Sequence, residues 1–228
     1  ASVYTNGTEA TGNEIFRDIY WYNYYSSYVN GIYSGFVNGT SRTPKFSHNT
    51  IHHLQGPNKS EIGYYEYPSD IYAINSDEYI GGSGKQIDGN LVYHNEGGYS
   101  FFGINCNQMG NSDVFTNNII YDNVANGYMY GQMYNYPDGG EISHNSVIVS
   151  GNTINSKTYY YWGNYGINFY HYMNHNTKMR ANNVHMESTQ GSIYPFMVDG
   201  LQYFPDFSDN NAWQINNTMP FYIDGSPM

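Results

Sequence analysis

Cationic side chains are scarce in this chain. Eight Lys plus Arg stand against 19 Asp plus Glu, a formal net charge of −11. No basic patch is available to neutralise phosphates, so a nucleic-acid partner is not expected. The same balance disfavours strongly anionic glycans such as pectate or alginate, unless calcium bridges the charges. Cysteine is almost missing. Cys106 alone cannot form an intrachain disulfide and leaves the redox compartment open. No apolar run approaches the length of a membrane span, so no membrane partner is expected. A sustained i, i+3, i+4 apolar stripe is also lacking, which argues against helices.

What is present is a short string that recurs. Asn90-Leu-Val-Tyr-His-Asn95 returns as Asn118-Ile-Ile-Tyr-Asp-Asn123. Looser copies are Phe46…Asn49-Thr-Ile51, Ile142…Asn145-Ser-Val147, Met179…Asn182-Asn-Val184 and Phe207…Asn210-Asn-Ala212, and a degenerate first copy is Ile15…Asp18-Ile-Tyr20. Each anchor Asn or Asp has apolar residues at −3 and +2. A second string follows each anchor: Gly31-Ile-Tyr33, Asp70-Ile-Tyr72, Gly98-Tyr-Ser100, Gly127-Tyr-Met129, Gly166-Ile-Asn168, Ser192-Ile-Tyr194 and Pro220-Phe-Tyr222. The spacing from second string to next anchor is nearly constant, and the spacing from anchor to second string is not. One corner of the repeat therefore varies.

Each unit has strand length and strand punctuation, with Tyr, Phe, Ile and Val bounded by Gly, Asn and Ser. Repeats of about 30 residues built this way predict a parallel β-helix, one coil per repeat. Equivalent residues then stack in columns about 4.8 Å apart. The −3 and +2 columns read as core. The Asn column between them reads as a ladder of side-chain amides. An antiparallel β-sandwich also shows evenly spaced short strands, but it gives no reason for an Asn column.

Asn-Asn-Ile-Ile-Tyr-Asp-Asn followed by Gly-Tyr, and Gly-Asn-Leu-Val-Tyr-His-Asn followed by Gly-Gly-Tyr, resemble the right-handed β-helix repeats of the pectate-lyase-like superfamily. That group includes polysaccharide lyases, glycoside hydrolases and phage tailspikes. The resemblance covers roughly residues 14 to 225. It implies an all-β, single-stranded right-handed parallel β-helix of about seven coils, with two long loops at one corner. No catalytic motif of any one family is matched, and one fold hosts many functions.

The repeat is continuous, so residues 1–228 read as one domain, with 1–13 a polar N-terminal edge and coils over 14–225. No amphipathic cap helix is visible. This points to a fragment of a longer chain, or to ends covered by a partner. The first residue is Ala, not Met, consistent with processing. Few Lys and 28 Tyr fit an extracellular, cell-surface or virion protein.

Two long loops, 54–69 and 150–165, are expected to rise on either side of a lower floor. They carry Glu66, Tyr64, Tyr65, Tyr160 and Trp162. The gap between them would hold a sugar chain, and loops on a rigid scaffold often carry function. The +3 column faces outward and holds Trp21, His52, Tyr93, Tyr121, Ile148, His185 and Trp213. Aromatic faces there would stack on pyranose rings. The +4 column brings His53, His94 and Asp122 onto successive coils, with Glu96 nearby. Two His and a carboxylate suit Zn²⁺, and carboxylates with carbonyls suit Ca²⁺, but no Asp-rich loop supports the latter. The expectation is no cofactor. The same residues would also make an acid/base set, Asp122 with Glu96 or Glu66 acting on a glycosidic bond and His53 and His94 relaying protons. Hydrolysis is favoured over lyase chemistry because Lys and Arg are scattered. The leading expectation is thus a carbohydrate-directed β-helix that binds a glycan, with cleavage left open. The rival is a structural section of a tailspike, adhesin or surface filament. There the aromatic face would be buried in a homotrimer or end-to-end assembly.

Overall fold

The computed structural model describes residues 3–4, 9–16, 29–35, 43–55, 70–77, 84–96, 100–125, 128–149, 163–169, 176–187, 192–198, 206–215, 221–223 and 226–227. Among these residues every regular element is a β-strand. The strands form three sheets of nine, seven and seven strands. Each strand pairs in parallel with its equivalent one repeat away; the exception is the terminal antiparallel pair Phe221–Ile223 with Ser226–Pro227. This is a parallel β-helix.

Sheet 1 has the long strands, including Val29–Gly35, Ile71–Asp77, Ser100–Cys106, Tyr128–Tyr134, Gly163–Phe169 and Ser192–Val198. Sheet 2 holds short strands such as Lys45–Ser47, Gln86–Asp88 and Val114–Thr116. Sheet 3 holds Glu14–Phe16, Thr50–His52, Leu91–Tyr93, Ile119–Tyr121, Ser146–Val149, Asn183–Glu187 and Asn211–Ile215. The expected core columns are present. Phe46, Ile87, Phe115, Ile142 and Met179 at −3, and Ile51, Val92, Ile120, Val147 and Val184 at +2, are all buried.

The Asn column is a continuous ladder at the turn from sheet 2 to sheet 3. Asn118 shows its chemistry. Its Nδ2 donates to Asn145 Oδ1 at 2.9 Å and to the Ile87 carbonyl at 2.9 Å. Its Oδ1 accepts from Asn90 Nδ2 at 2.9 Å and from the Asn90 backbone N–H at 3.2 Å. The same pattern links Asn49, Asn90, Asn145 and Asn182, all buried. Buried amides this fully bonded stabilise each other along the chain of dipoles.

The residue before each ladder Asn has a left-handed backbone: Gly12, His48, Gly89, Asn117, His144, Ala181 and Asp209. Gly, Asn, Asp and His are the types that tolerate this conformation, and Ala181 is the strained member.

Two registers differ from the sequence reading. Ile15 pairs with Ile51, so it belongs to the +2 column; Ala10 pairs with Phe46, and Asn13 starts the ladder. The degenerate copy at Asp18 is therefore displaced. In sheet 1, Ile32, Ile74, Ile104, Gln132, Ile167 and Phe196 share one column. Gly31 is then equivalent to Ala73, Gly103, Gly131, Gly166 and Pro195, not to Asp70, Gly98, Gly127 or Ser192. Steric closeness sets this column. A Cβ on Gly131 would lie 2.3 Å from Val147 Cγ1 and 2.6 Å from the Gly166 carbonyl.

Candidate functional site

Sheet 3 carries the residues singled out by the sequence. Its outward column runs Phe16, His52, Tyr93, Tyr121, so Phe16 takes the place expected for Trp21. The rings stack on one another: Phe16–His52 at 5.4 Å, His52–Tyr93 at 5.2 Å and Tyr93–Tyr121 at 5.2 Å between centroids. Stacked rings use their faces on each other. What they turn outward is edges and polar tips.

His53, His94 and Asp122 do line up. The His53 and His94 rings are 5.6 Å apart, and His94 Nε2 lies 3.7 Å from Asp122 Oδ2, both half exposed. His52 Nδ1 and His53 Nδ1 are 2.6 Å apart, and His52 Nε2 is 3.0 Å from Glu14 Oε1. Glu96 is exposed in the next segment. All three +4 residues have left-handed backbones, which by itself accounts for His, His and Asp at this turn. The column is not uniform: Val149 and Met186 at equivalent positions are buried. Where Asn follows, at Asn95 and Asn123, a second amide ladder closes the turn, with Asn95 Nδ2 donating to Asn123 Oδ1 at 2.7 Å. Among the described residues no group of three or more His, Cys, Asp or Glu is arranged to hold a metal ion. Glu66, Tyr64, Tyr65, Tyr160 and Trp162, with most of both long loops, lie outside the described residues.

Sheet 1 presents a concavity that sequence reasoning missed. It has a volume of about 640 Å³. One wall is the column Asn30, Tyr72, Phe102. The opposite wall is Asp77, Asn107 and Asn135, and Asn75 and Asn105 are buried between them. Tyr33 and Met133 complete the lining. The aromatic wall continues as a stack, Tyr72–Phe102 at 4.5 Å, Phe102–Tyr130 at 4.8 Å, Tyr130–Tyr165 at 4.9 Å and Tyr165–Tyr194 at 5.4 Å.

The amides are ordered in one sense. Asn105 Nδ2 donates to Asn75 Oδ1 at 2.8 Å, and Asn75 Nδ2 to Asn30 Oδ1 at 3.2 Å. On the far wall Asn135 Nδ2 donates to Asn107 Oδ1 at 2.6 Å, and Asn107 Nδ2 to the Asp77 carboxylate. The Tyr33 hydroxyl also donates to Asp77, at 3.4 Å. Burial pushes the Asp77 carboxyl above the usual carboxylate range, against the opposing pull of those two donors and of the Lys85 charge. Lys85 is itself buried, its Nζ donating to the Gln108 carbonyl at 2.5 Å.

No signal in the repeat strings pointed here, because the second string was read out of register. Asn75 and Asn105 fall opposite each other only once the sheet 1 strands are aligned, and Asn30 joins them by accepting from Asn75. No protein-family model, curated protein or solved structure matches the chain.

Proposed function

We propose that this β-helix is a carbohydrate-directed protein of an extracellular, cell-surface or virion setting, and that it binds a glycan in the concavity of sheet 1. The observation that carries the reading is the described lining: in-register amides, ring edges with hydroxyls and, among the described residues, one carboxylate with a raised pKa, gathered in one groove. Amides offer both donors and acceptors to sugar hydroxyls. A concavity with few convergent polar groups and a perturbed carboxylate is a sound binding-site candidate. The coil repeat and its likeness to pectate-lyase-like proteins support the same class, at the level of fold.

Recognition is favoured over cleavage in this groove. Asp70 lies just before the strand that Asp77 ends, about 23 Å away along an extended chain. Glycosidase carboxylates stand about 5–9.5 Å apart. If cleavage occurs, Asp122 and Glu96, with His94 and His53 as proton relays, are the residues to test on sheet 3. A glycan-array screen that also reads released oligosaccharide tests both points. Binding without release is the expected result, and absence of binding across neutral, amino and acidic glycans would sink the proposal.

A second reading rests on sheet 3. Among the described residues the exposed large hydrophobics are Phe16, Ile119, Ile148 and Trp213, and all four are on this sheet. An apolar set on one flat face suits burial between copies in a trimer or filament. Sedimentation of the chain at rising concentration tests it; a monomer throughout speaks against it. The two readings use different faces and are compatible.

A further inference from the structure

The groove of sheet 1 offers a charge as well as a shape. Among the described residues Asp77 is the one carboxylate in its lining, and no described Lys, Arg or His joins it there. Two donors already reach this carboxylate, Asn107 Nδ2 and the Tyr33 hydroxyl. A carboxylate has about four acceptor sites, so it can take a further donor. Partial burial makes an ionised carboxylate costly unless a cation or more hydrogen bonds meet it. Lys85 does not line the groove, because its ammonium is turned to the Gln108 carbonyl.

Resting on the glycan reading above, we infer that the groove takes a glycan with free amino groups, of the glucosamine type, and seats one sugar ammonium on Asp77 while the Asn75 and Asn105 row and the Tyr72 wall hold the ring hydroxyls. A uronate would bring its charge against Asp77 in a chain of net charge −11. An N-acetylated sugar would fit the amides but forfeit the ion pair.

Titration calorimetry of the full chain against soluble oligomers of glucosamine, N-acetylglucosamine, glucose, galacturonate and lysine tests this. Glucosamine oligomers are expected to bind best, with the N-acetylated form weaker by about tenfold, as for loss of a charge-assisted hydrogen bond. That margin should shrink as salt is raised. In Asp77→Asn the margin should vanish while thermal unfolding stays cooperative. Equal affinity for the amine and its acetylated form overturns the inference, as does equal affinity for oligolysine or an undiminished margin in Asp77→Asn. In those cases binding to any sugar keeps the glycan reading intact. Failure of every sugar to bind overturns both. The acetylation comparison needs only the unaltered protein, so a misfolded variant would not shield the inference.

Discussion

Sheet 1 and sheet 3 wrap the same core with the same parallel pairing, yet they present different surfaces. Sheet 3 carries an outward column in which Phe16, His52, Tyr93 and Tyr121 form an unbroken stack, with exposed Ile148 next in the column and exposed Ile119 beside it. Sheet 1 has longer strands, and two successive residues, such as Ala73 and Ile74, both turn inward. Its outward columns are thereby spread apart, and polar amides occupy the space between an aromatic wall and Asp77. Strand length and a small-residue column, more than composition, separate a groove from a face.

The frame shared by the two sheets is the place where a change should do most damage. Asn118→Ala removes four hydrogen bonds and leaves the Ile87 carbonyl and the Asn90 amide unpaired in the core. It is expected to cost about 3 kcal/mol or more in denaturant unfolding, at the high end for a buried polar network. A loss under about 1 kcal/mol would show that the ladder is not a main support.

Gly131→Ala attacks the contact between the sheets. The new methyl meets Val147 and the Gly166 carbonyl, and overpacking of this kind costs about 1–3 kcal/mol. The same measurement on a glycine with open space around it, Gly12, separates crowding from backbone strain, since Gly12 has a left-handed φ and no neighbour within reach.

Tyr72→Ala against Tyr93→Ala sharpens the contrast most directly. The first opens a groove wall and should weaken glycan binding about tenfold, on the scale of one good contact. The second cuts the sheet 3 stack and should leave glycan affinity unchanged while reducing any self-association. Equal effects of the two on glycan affinity would place the site on neither face alone.

Acid titration gives a smaller effect of opposite sign on two carboxyls. Asp77 has its folded pKa raised by burial, so its stabilising contribution is present below the unfolded pKa, about 3.9, and is lost as pH rises through the folded value. Glu141 has its pKa lowered, first by the hydrogen bond from Ser143 and also by Arg180 at 3.1 Å. Its contribution is present above the unfolded pKa, about 4.3, and is lost as pH falls. Asp77→Asn should therefore remove some of the destabilisation seen on going from acid to neutral pH, and Glu141→Gln should remove some seen on acidification. Unfolding midpoints measured across the acid range check both signs.

The smallest change concerns Ala181, the one left-handed ladder-turn residue with a plain side chain. Ala181→Gly should stabilise by about 1 kcal/mol, the reverse of the usual Gly→Ala gain.

The Asn ladder and the core columns were legible in the sequence because they repeat around Asn90, Asn118 and Asn145 at near-constant spacing, and because an amide between two apolar positions has one economical use at a coil turn. The candidate column His53, His94, Asp122 was legible for the same reason, although its left-handed backbone was not. The sheet 1 groove was not legible. The small-residue column in the same strands, Gly31, Ala73, Gly103, Gly131, Gly166 and Pro195, is crowded at its glycines yet is filled by different residues, so no string marks the register.

By itself the sequence determined that the chain coils, where its amides stack and which side chains fill the core, since those follow from local periodicity and from the need to pair buried polar groups. Only the tertiary structure decided which outward columns stand side by side. Register across strands some thirty residues apart is set by packing against the opposite sheet, and that packing turned Asn75, Asn105, Asn107 and Asp77 into one surface.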